Sequence, residues 1–389
     1  MSIHERSPVR EFTMQSGSLL VDPFETYDQT GSVPPFWTEN PGDIDGYWVV
    51  TRYADMRAVL RDSESFSSVN ASIPHMPMEH PMLPTETDPP TVNKYRGILL
   101  PCMTPDKIDP MEMRMREVSS ALIGSFRGRG WCDVVEDFAR IYPISIFVDF
   151  FGLPPGRSEE FREHAHTFLH EVPKRREEWA AIRAIVYEQL VLKRTQPQDD
   201  LLSSIANGNV DGELIDLQDA TNLASTVFLG GLDTLPSNFA WSISFLASHP
   251  EARRRIVDDP SVIPDAVEEF LRYFSVANPV RRAIRDIEVG GSLIRENDRV
   301  FVAISIGDRD PGEFGDAECV RFDRGTNRHL AFGGGPHRCL GSHLARHELR
   351  VALQEWHAQI PDYRPADNAE LSYRGGVLAM DALPITWDI

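Results

Sequence analysis

Cysteine is scarce in this 389-residue sequence, which has only Cys102, Cys132, Cys319 and Cys339. None stands in a CxxC pair, so neither a zinc site nor a disulfide framework is signalled, and a reducing compartment fits. Basic residues are also short: 39 against 59 acids, a formal net charge of −20. That balance argues against nucleic acid as a partner, because such binding needs a basic face. Long apolar runs are missing, and none reaches the roughly 18 residues of a membrane-spanning helix. The first twenty residues, MSIHERSPVREFTMQSGSLL, carry charges throughout and contain no apolar signal-peptide core. Together these absences predict a cytoplasmic protein without membrane attachment. Internal repeats and low-complexity linkers are absent too. So are a GxxxxGK[ST] phosphate loop and a GxGxxG turn between strand and helix, so no flavin or nicotinamide motif is seen.

What is present reads as mostly helical. GYWVVTRY at 46–53 is rich in β-branched and aromatic residues and predicts a strand, with YADMRAVLRD a short helix after it. Residues 72–90 hold too many prolines for a helix and too many apolar residues for a plain solvated loop; long loops of that kind are often functional. Helical periodicity dominates from about 111 to 206, in segments at 111–126, 133–152, 158–172 and 177–194, and returns at 264–274. Residues 287–305 read as strand, glycine turn, strand, and short strands close the chain around 371–388. No alternating strand–helix pattern appears. The expectation is one domain over 1–389, mainly α with small β-sheets: a β-containing region at about 40–70, 287–305 and 371–388, and a helix-rich region over about 90–360.

The longest helical stretch, 217–248, is apolar nearly all round in its middle, as a buried helix is. Yet that middle holds Gly230, Gly231, Asp233, Thr234 and Pro236. Each glycine costs about 1 kcal/mol against alanine there. Pro236 cannot donate to the carbonyl of Leu232, so a kink is expected at that point. An acid and an alcohol at a break in a buried helix call for a functional reason.

Cys339 sits in HLAFGGGPHRCLGSHLARHELR, residues 329–350. Glycines on both sides permit unusual backbone angles and close approach of another body. Gly341 lets something flat lie against the backbone, and Phe332 supplies an apolar shield. A thiolate just before an amphipathic helix is favoured by the helix dipole. These features fit an axial thiolate ligand to haem iron.

The run Phe332-Gly333-Gly334-Gly335-Pro336-His337-Arg338-Cys339-Leu340-Gly341 resembles the cytochrome P450 haem-binding loop, FGxGxHxCxG. Glu269-Phe270-Leu271-Arg272 resembles the ExxR helix of that family, and Gly230-Gly231-Leu232-Asp233-Thr234 its oxygen-activating motif. Asp88-Pro89-Pro90 with Arg96, and Arg281 with Asp286, resemble two further landmarks. All come in the family's order over about residues 40–389. Within the family, GGLDT, IANGNVDG and ALPITWD are most similar to the bacterial camphor hydroxylase group.

The resemblance implies a P450 fold with a long kinked helix over haem b, and Cys339 as the iron ligand. Gly230, Phe332 and Gly341 would border the cofactor. Arg96, Arg281 and His337 would hold its propionates. Residues 328–350, with Arg328, Arg338, Arg346, Arg350 and four histidines against Glu348, carry a formal +3 that suits those anions. Glu269 and Arg272 would form a structural pair beneath the haem, with Arg321 as third member. Thr234 would hydrogen-bond the bound oxygen and Asp233 would relay protons. His80, in the position of a ketone-binding tyrosine, and an apolar wall of Met82, Leu229, Ala277 and Val377 would hold a small hydrophobic substrate, a monoterpenoid or a norisoprenoid such as an ionone. Two electrons would arrive from a [2Fe-2S] ferredoxin docked on spare basic residues, Lys94, Arg338 and Arg346, of a monomeric enzyme. Rival readings are a peroxide-driven haem-thiolate enzyme, a haem sensor or carrier, and a haem-free thiol enzyme.

Overall fold

The computed structural model describes residues 8–12, 18–19, 22–39, 46–73, 80–154, 160–161, 163–164, 167–168, 171–367, 369 and 371–389. Part of the 72–90 loop and much of the helical segment expected at 158–172 lie outside the described residues. The helices that matter for the site are α1 (Glu112–Phe126), α2 (Tyr142–Phe151), α3 (Leu217–Gly230), α4 (Thr234–Ser248), α5 (Ile263–Tyr273) and α6 (Ser342–Gln359). Among the described residues no helix is long and apolar enough to cross a membrane. The architecture is mainly helical with small sheets. The chain divides into two compact units. One comprises 1–93, 269–339 and 374–378; the other comprises 94–268, 340–373 and 379–389.

The first unit is built on a five-stranded sheet, in the order Phe36–Thr38, Tyr47–Val50, Arg299–Val302, Val280–Ala283, Phe66–Ser67. Arg299–Val302 runs parallel to Tyr47–Val50, with Val300 opposite Trp48, and antiparallel to Val280–Ala283, with Phe301 opposite Val280. Its β-branched and aromatic residues suit a pleated, buried surface. The helix Tyr53–Arg61 buries Tyr53, Met56, Val59 and Leu60, one face at helical spacing, in the core that also holds Trp37, Trp48, Val50, Phe66, Val300 and Val302. Each such side chain contributes roughly 1.5–3 kcal/mol when buried. The expected strand–turn–strand is a hairpin of Ile287–Val289 and Ser292–Ile294, turned by Gly290 and Gly291 at φ 55° and 86°.

The second unit is helical. An aromatic cluster ties its elements: Phe138 lies 5.0 Å from Phe239 of α4 and 5.4 Å from Trp356 of α6, and Trp356 lies 5.9 Å from Phe126 of α1. Charge pairs add register between α1 and α6, Arg116 to Glu355 at 2.9 Å and Arg350 to Glu112 at 2.7 Å. The segment 133–152, expected as one helix, is divided. A strand, Trp131–Asp133, precedes a wide helical turn at Val135–Ala139, and α2 then starts afresh. Pro143 explains the restart, because a residue without an N–H fits the first turn of a helix and not its interior.

Candidate active site

In the first unit the segment before Cys339 is closed by short backbone bonds. Gly333 N donates to Leu330 O at 2.6 Å, and Cys339 N donates to Phe332 O at 2.8 Å. Gly333 and Gly335 adopt φ of 68° and 64°, a region that disfavours side chains. A Cβ on Gly335 would stand 2.2 Å from Leu60 O, so the loop sits directly on the end of the Tyr53–Arg61 helix. Phe332 and His337 are half-buried in this loop. The Cys339 side chain is exposed rather than packed away. By contrast Cys132 is fully buried, and desolvation pushes its thiol well above the usual value.

Support for this loop runs from α5. Glu269 and Arg272 are both wholly buried and meet by two parallel bonds of 2.8 and 2.7 Å. Arg272 also donates to the carbonyls of Asp308, Ala317 and Cys319, each at 2.9 Å. Burial pushes the Glu269 carboxyl up, but hydrogen bonds from Arg272 and Arg324 outweigh it and hold it below the usual range. The Asp308 carboxylate accepts from Ser275 Oγ at 2.6 Å and from Leu330 N at 2.7 Å, which carries the network into the cysteine loop. Desolvation pushes the Asp308 carboxyl up to about 6.

Arg321, expected as third member of that pair, is corrected by the structure. Its backbone N–H reaches Glu269 at 2.8 Å, but its guanidinium pairs with exposed Asp316 and Asp323. Arg324 supplies the side chain instead, with Nε 2.9 Å from Glu269, and Asn327 adds a bond at 3.1 Å. A turn between 321 and 324 decides which arginine points inward. The only signal in the sequence is a second arginine three positions on. Asp286 pairs with Arg295 at 2.7 Å, while Arg281 is buried on the central sheet.

Arg281 donates from Nη1 to Val280 O at 2.9 Å. Among the described residues no carboxylate closes on it as an ion pair. Desolvation lowers its pKa to about 10 against the pull of Asp88. Asp88 itself is engaged with Ser67 Oγ at 2.5 Å and Ser68 N at 2.8 Å. Ala277 and Val377 meet in an isolated antiparallel bridge. Met82 and His80 are half-buried in the same unit.

In the second unit the long apolar helix is interrupted where the glycines stand. At the end of α3 the backbone tightens, Gly231 and Leu232 donating to Phe228 and Leu229, three residues back. Asp233 then stands just ahead of α4 without a side-chain capping bond, and Thr234 is the first residue of that helix. The break lies ahead of Pro236, which therefore sits in the first turn of α4, where backbone N–H groups have no intrahelical partner. The kink expected at Pro236 itself is thus displaced to 231–233. A Cβ on Gly231 would lie 2.9 Å from the Phe147 ring of α2, whereas one on Gly230 would meet nothing within 4 Å.

The hydroxyls of Thr221, Thr226, Ser237 and Ser242 all donate to the carbonyl four residues back. Thr234 does not, and among the described residues its hydroxyl has no hydrogen-bond partner. Desolvation pushes the Asp233 carboxyl up to about 6, with the Arg140 guanidinium pulling the other way. Leu229 is buried and Arg96 half-buried. Two residues expected as spare docking cations are occupied: Lys94 pairs with Asp211 at 2.5 Å, and Arg346 with Glu268 at 2.9 Å. Arg338 is exposed.

In the first unit, an accessible thiol on a glycine cradle and a buried guanidinium short of an anion fit an iron porphyrin with carboxylate arms. They suit the thiolate-ligated haem oxygenases. Comparison with known proteins gives the family. A sequence model of the Cytochrome P450 family matches residues 137–356. The chain is 33% identical to the probable cytochrome P450 127A1 of Sinorhizobium fredii, over 91% of this chain and 87% of that one. It is also 33% identical to nocardicin C N-oxygenase of Nocardia uniformis, over 87% and 89%. Its structure resembles that of cytochrome P450 CYP101C1, with a TM-score of 0.90, 27% identity and full coverage of both chains. The chain belongs to the cytochrome P450 family. It is a monooxygenase whose cofactor is haem b.

Proposed function

We propose that this enzyme hydroxylates a small apolar molecule, a monoterpenoid or norisoprenoid such as an ionone, with electrons from a [2Fe-2S] ferredoxin. It does so as a cytoplasmic monomer of the camphor hydroxylase group. The similarity to CYP101C1 supports that grouping. Cys339 is the residue that would ligate the iron, with Arg281, His337 and Arg96 holding the propionates and Gly230, Phe332 and Gly341 bordering the macrocycle. Haem, when bound, supplies dioxygen activation and the oxidising power. Met82, Leu229, Ala277 and Val377 give the substrate apolar contacts, and His80 offers it one polar anchor.

The observation that carries the reading is the break at 231–233, which leaves the Thr234 hydroxyl without a partner among the described residues, next in sequence to a carboxyl raised to about 6. A hydroxyl with no internal acceptor can donate at its Oγ to a bound ligand. A carboxyl titrating near neutrality can pass protons to it without a large energy step. The same pair weighs against a purely peroxide-driven enzyme or a haem carrier, neither of which needs proton delivery.

The test is Thr234→Ala, assayed with a surrogate ferredoxin system and an ionone found by substrate-induced spin-state titration. Reduced cofactor consumption should continue, while product per electron pair falls about tenfold or more and hydrogen peroxide accumulates. Unchanged coupling would remove Thr234 from the role. A terpenoid panel that leaves the spectrum unmoved would remove the substrate class.

A further inference from the structure

α6 begins three residues after Cys339, and its first two turns carry His343 and His347 at i, i+4 spacing, on one face of the helix. That face meets the short turn Asp109–Met111, which leads into α1. His343 Nε2 lies 2.8 Å from Asp109 Oδ1, and His347 Nδ1 lies 3.4 Å from the same oxygen. One ligand atom from each of the three residues falls within 4.8 Å of the others. On its far side His347 Nε2 lies 2.9 Å from Glu112 Oε2. The Glu112 carboxylate also accepts from Arg116 and Arg350, each at 2.7 Å.

Either neutral tautomer of His347 turns one ring lone pair toward a carboxylate oxygen, a contact that a second proton or a metal ion relieves. Arg350 Nη2 is 2.8 Å from His347 Nε2 and 2.7 Å from Glu112 Oε2, and a guanidinium can only donate. If Nε2 carries the proton and gives it to Glu112, Nδ1 turns a lone pair toward Asp109 Oδ1. If Nδ1 carries it, that N–H faces Asp109, and Nε2 and the Glu112 oxygen are two acceptors 2.9 Å apart, each able to take one of the two N–H groups of Arg350 Nη2. A cation between Nδ1, His343 Nε2 and Asp109 removes the lone-pair contact of the first arrangement, with the Nε2 proton directed to Glu112. It also leaves Glu112 as the outer carboxylate that commonly orients a metal-bound histidine.

We propose that Asp109, His343 and His347 bind a divalent transition metal of the zinc, cobalt or nickel class, with Glu112 orienting His347. Two imidazoles and one carboxylate suit those ions and not calcium or magnesium, which take oxygen donors. The Asp109 and His343 side chains are 55% and 38% exposed, so water completes the coordination. His347, at 7%, is fixed by its surroundings. The bound ion fastens the helix following the cysteine loop to the segment ahead of α1, across 234 residues of sequence. The site uses none of the residues assigned to haem or to substrate.

The experiment uses untagged, haem-loaded protein treated with chelator and dialysed. Zinc is titrated by calorimetry, retained zinc is measured by elemental mass spectrometry, and thermal unfolding is followed with and without zinc. Wild type should take up one zinc per chain and unfold at higher temperature with it. His343→Ala and Asp109→Asn, both at exposed positions, should bind zinc roughly tenfold or more weakly and lose the thermal shift, with the spectrum of the reduced carbon monoxide complex unchanged. Equal binding by wild type and His343→Ala would overturn the site. So would a wild type that retains no zinc, which would leave only a protonated histidine beside Asp109.

Discussion

In the proton-relay role proposed for it, Asp233 would serve chemistry at a cost to stability. Desolvation raises its folded value from an ordinary 3.8 to about 6. A carboxyl raised in this way favours the folded state while protonated. That contribution is complete below the unfolded value and is lost as pH rises through about 6. A two-unit shift corresponds to roughly 3 kcal/mol. Asp233→Asn should therefore match wild type in thermal midpoint near pH 4 and exceed it at pH 8, by on the order of 2 kcal/mol, while product formation slows. An equal difference at both pH values would show that the carboxyl is not buried as charge. The identities of Asp233, Thr234, Cys339, Glu269 and Arg272 were legible because motif spacing fixes them. Arg324 was not, because Arg321 and Arg324 differ only in which side of one loop they leave. Phe147, which packs where Gly231 has no side chain, was not legible either, since nothing local in the sequence links α2 to α3.

At the scale of elements, the two neighbouring glycines of the broken helix do different work. Gly231→Ala drives a Cβ to 2.9 Å from Phe147, and the ring must move. The expected cost is about 1–3 kcal/mol. Gly230→Ala meets no protein atom within 4 Å and gains up to about 1 kcal/mol of helix propensity. Thermal unfolding should thus separate them in opposite directions, and a like response would refute the packing account. Gly230→Ala should still impair spectral ligand binding, because its methyl enters the open space. Most helices and the paired strands were readable from periodicity. Pro236 misleads by position: a proline inside an apolar helix predicts a break at itself, whereas the backbone tightens at the glycines and places the proline in a first turn where it costs nothing. The segment around Pro143 misled for the same reason, an apolar run hiding a restart.

At the scale of the whole molecule, a net charge of −20 and the formal +3 of residues 328–350 would act over different distances on the proposed ferredoxin, were it acidic. In dilute buffer, with a screening length of about 30 Å near 0.01 M salt, the donor feels the whole chain and is repelled. Near 0.15 M the length falls to about 8 Å, and only the residues that approach the donor count. Lys94 and Arg346 already face Asp211 and Glu268, but such part-exposed pairs are worth about 1 kcal/mol or less and exchange partners readily. At high salt the local attraction is screened as well. Turnover under limiting ferredoxin should therefore rise and then fall as sodium chloride is increased, with Arg338→Glu flattening the falling limb. A rate that only climbs with salt would mean that no basic surface greets the donor. One that only falls would mean that the local field outweighs the net charge even in dilute buffer.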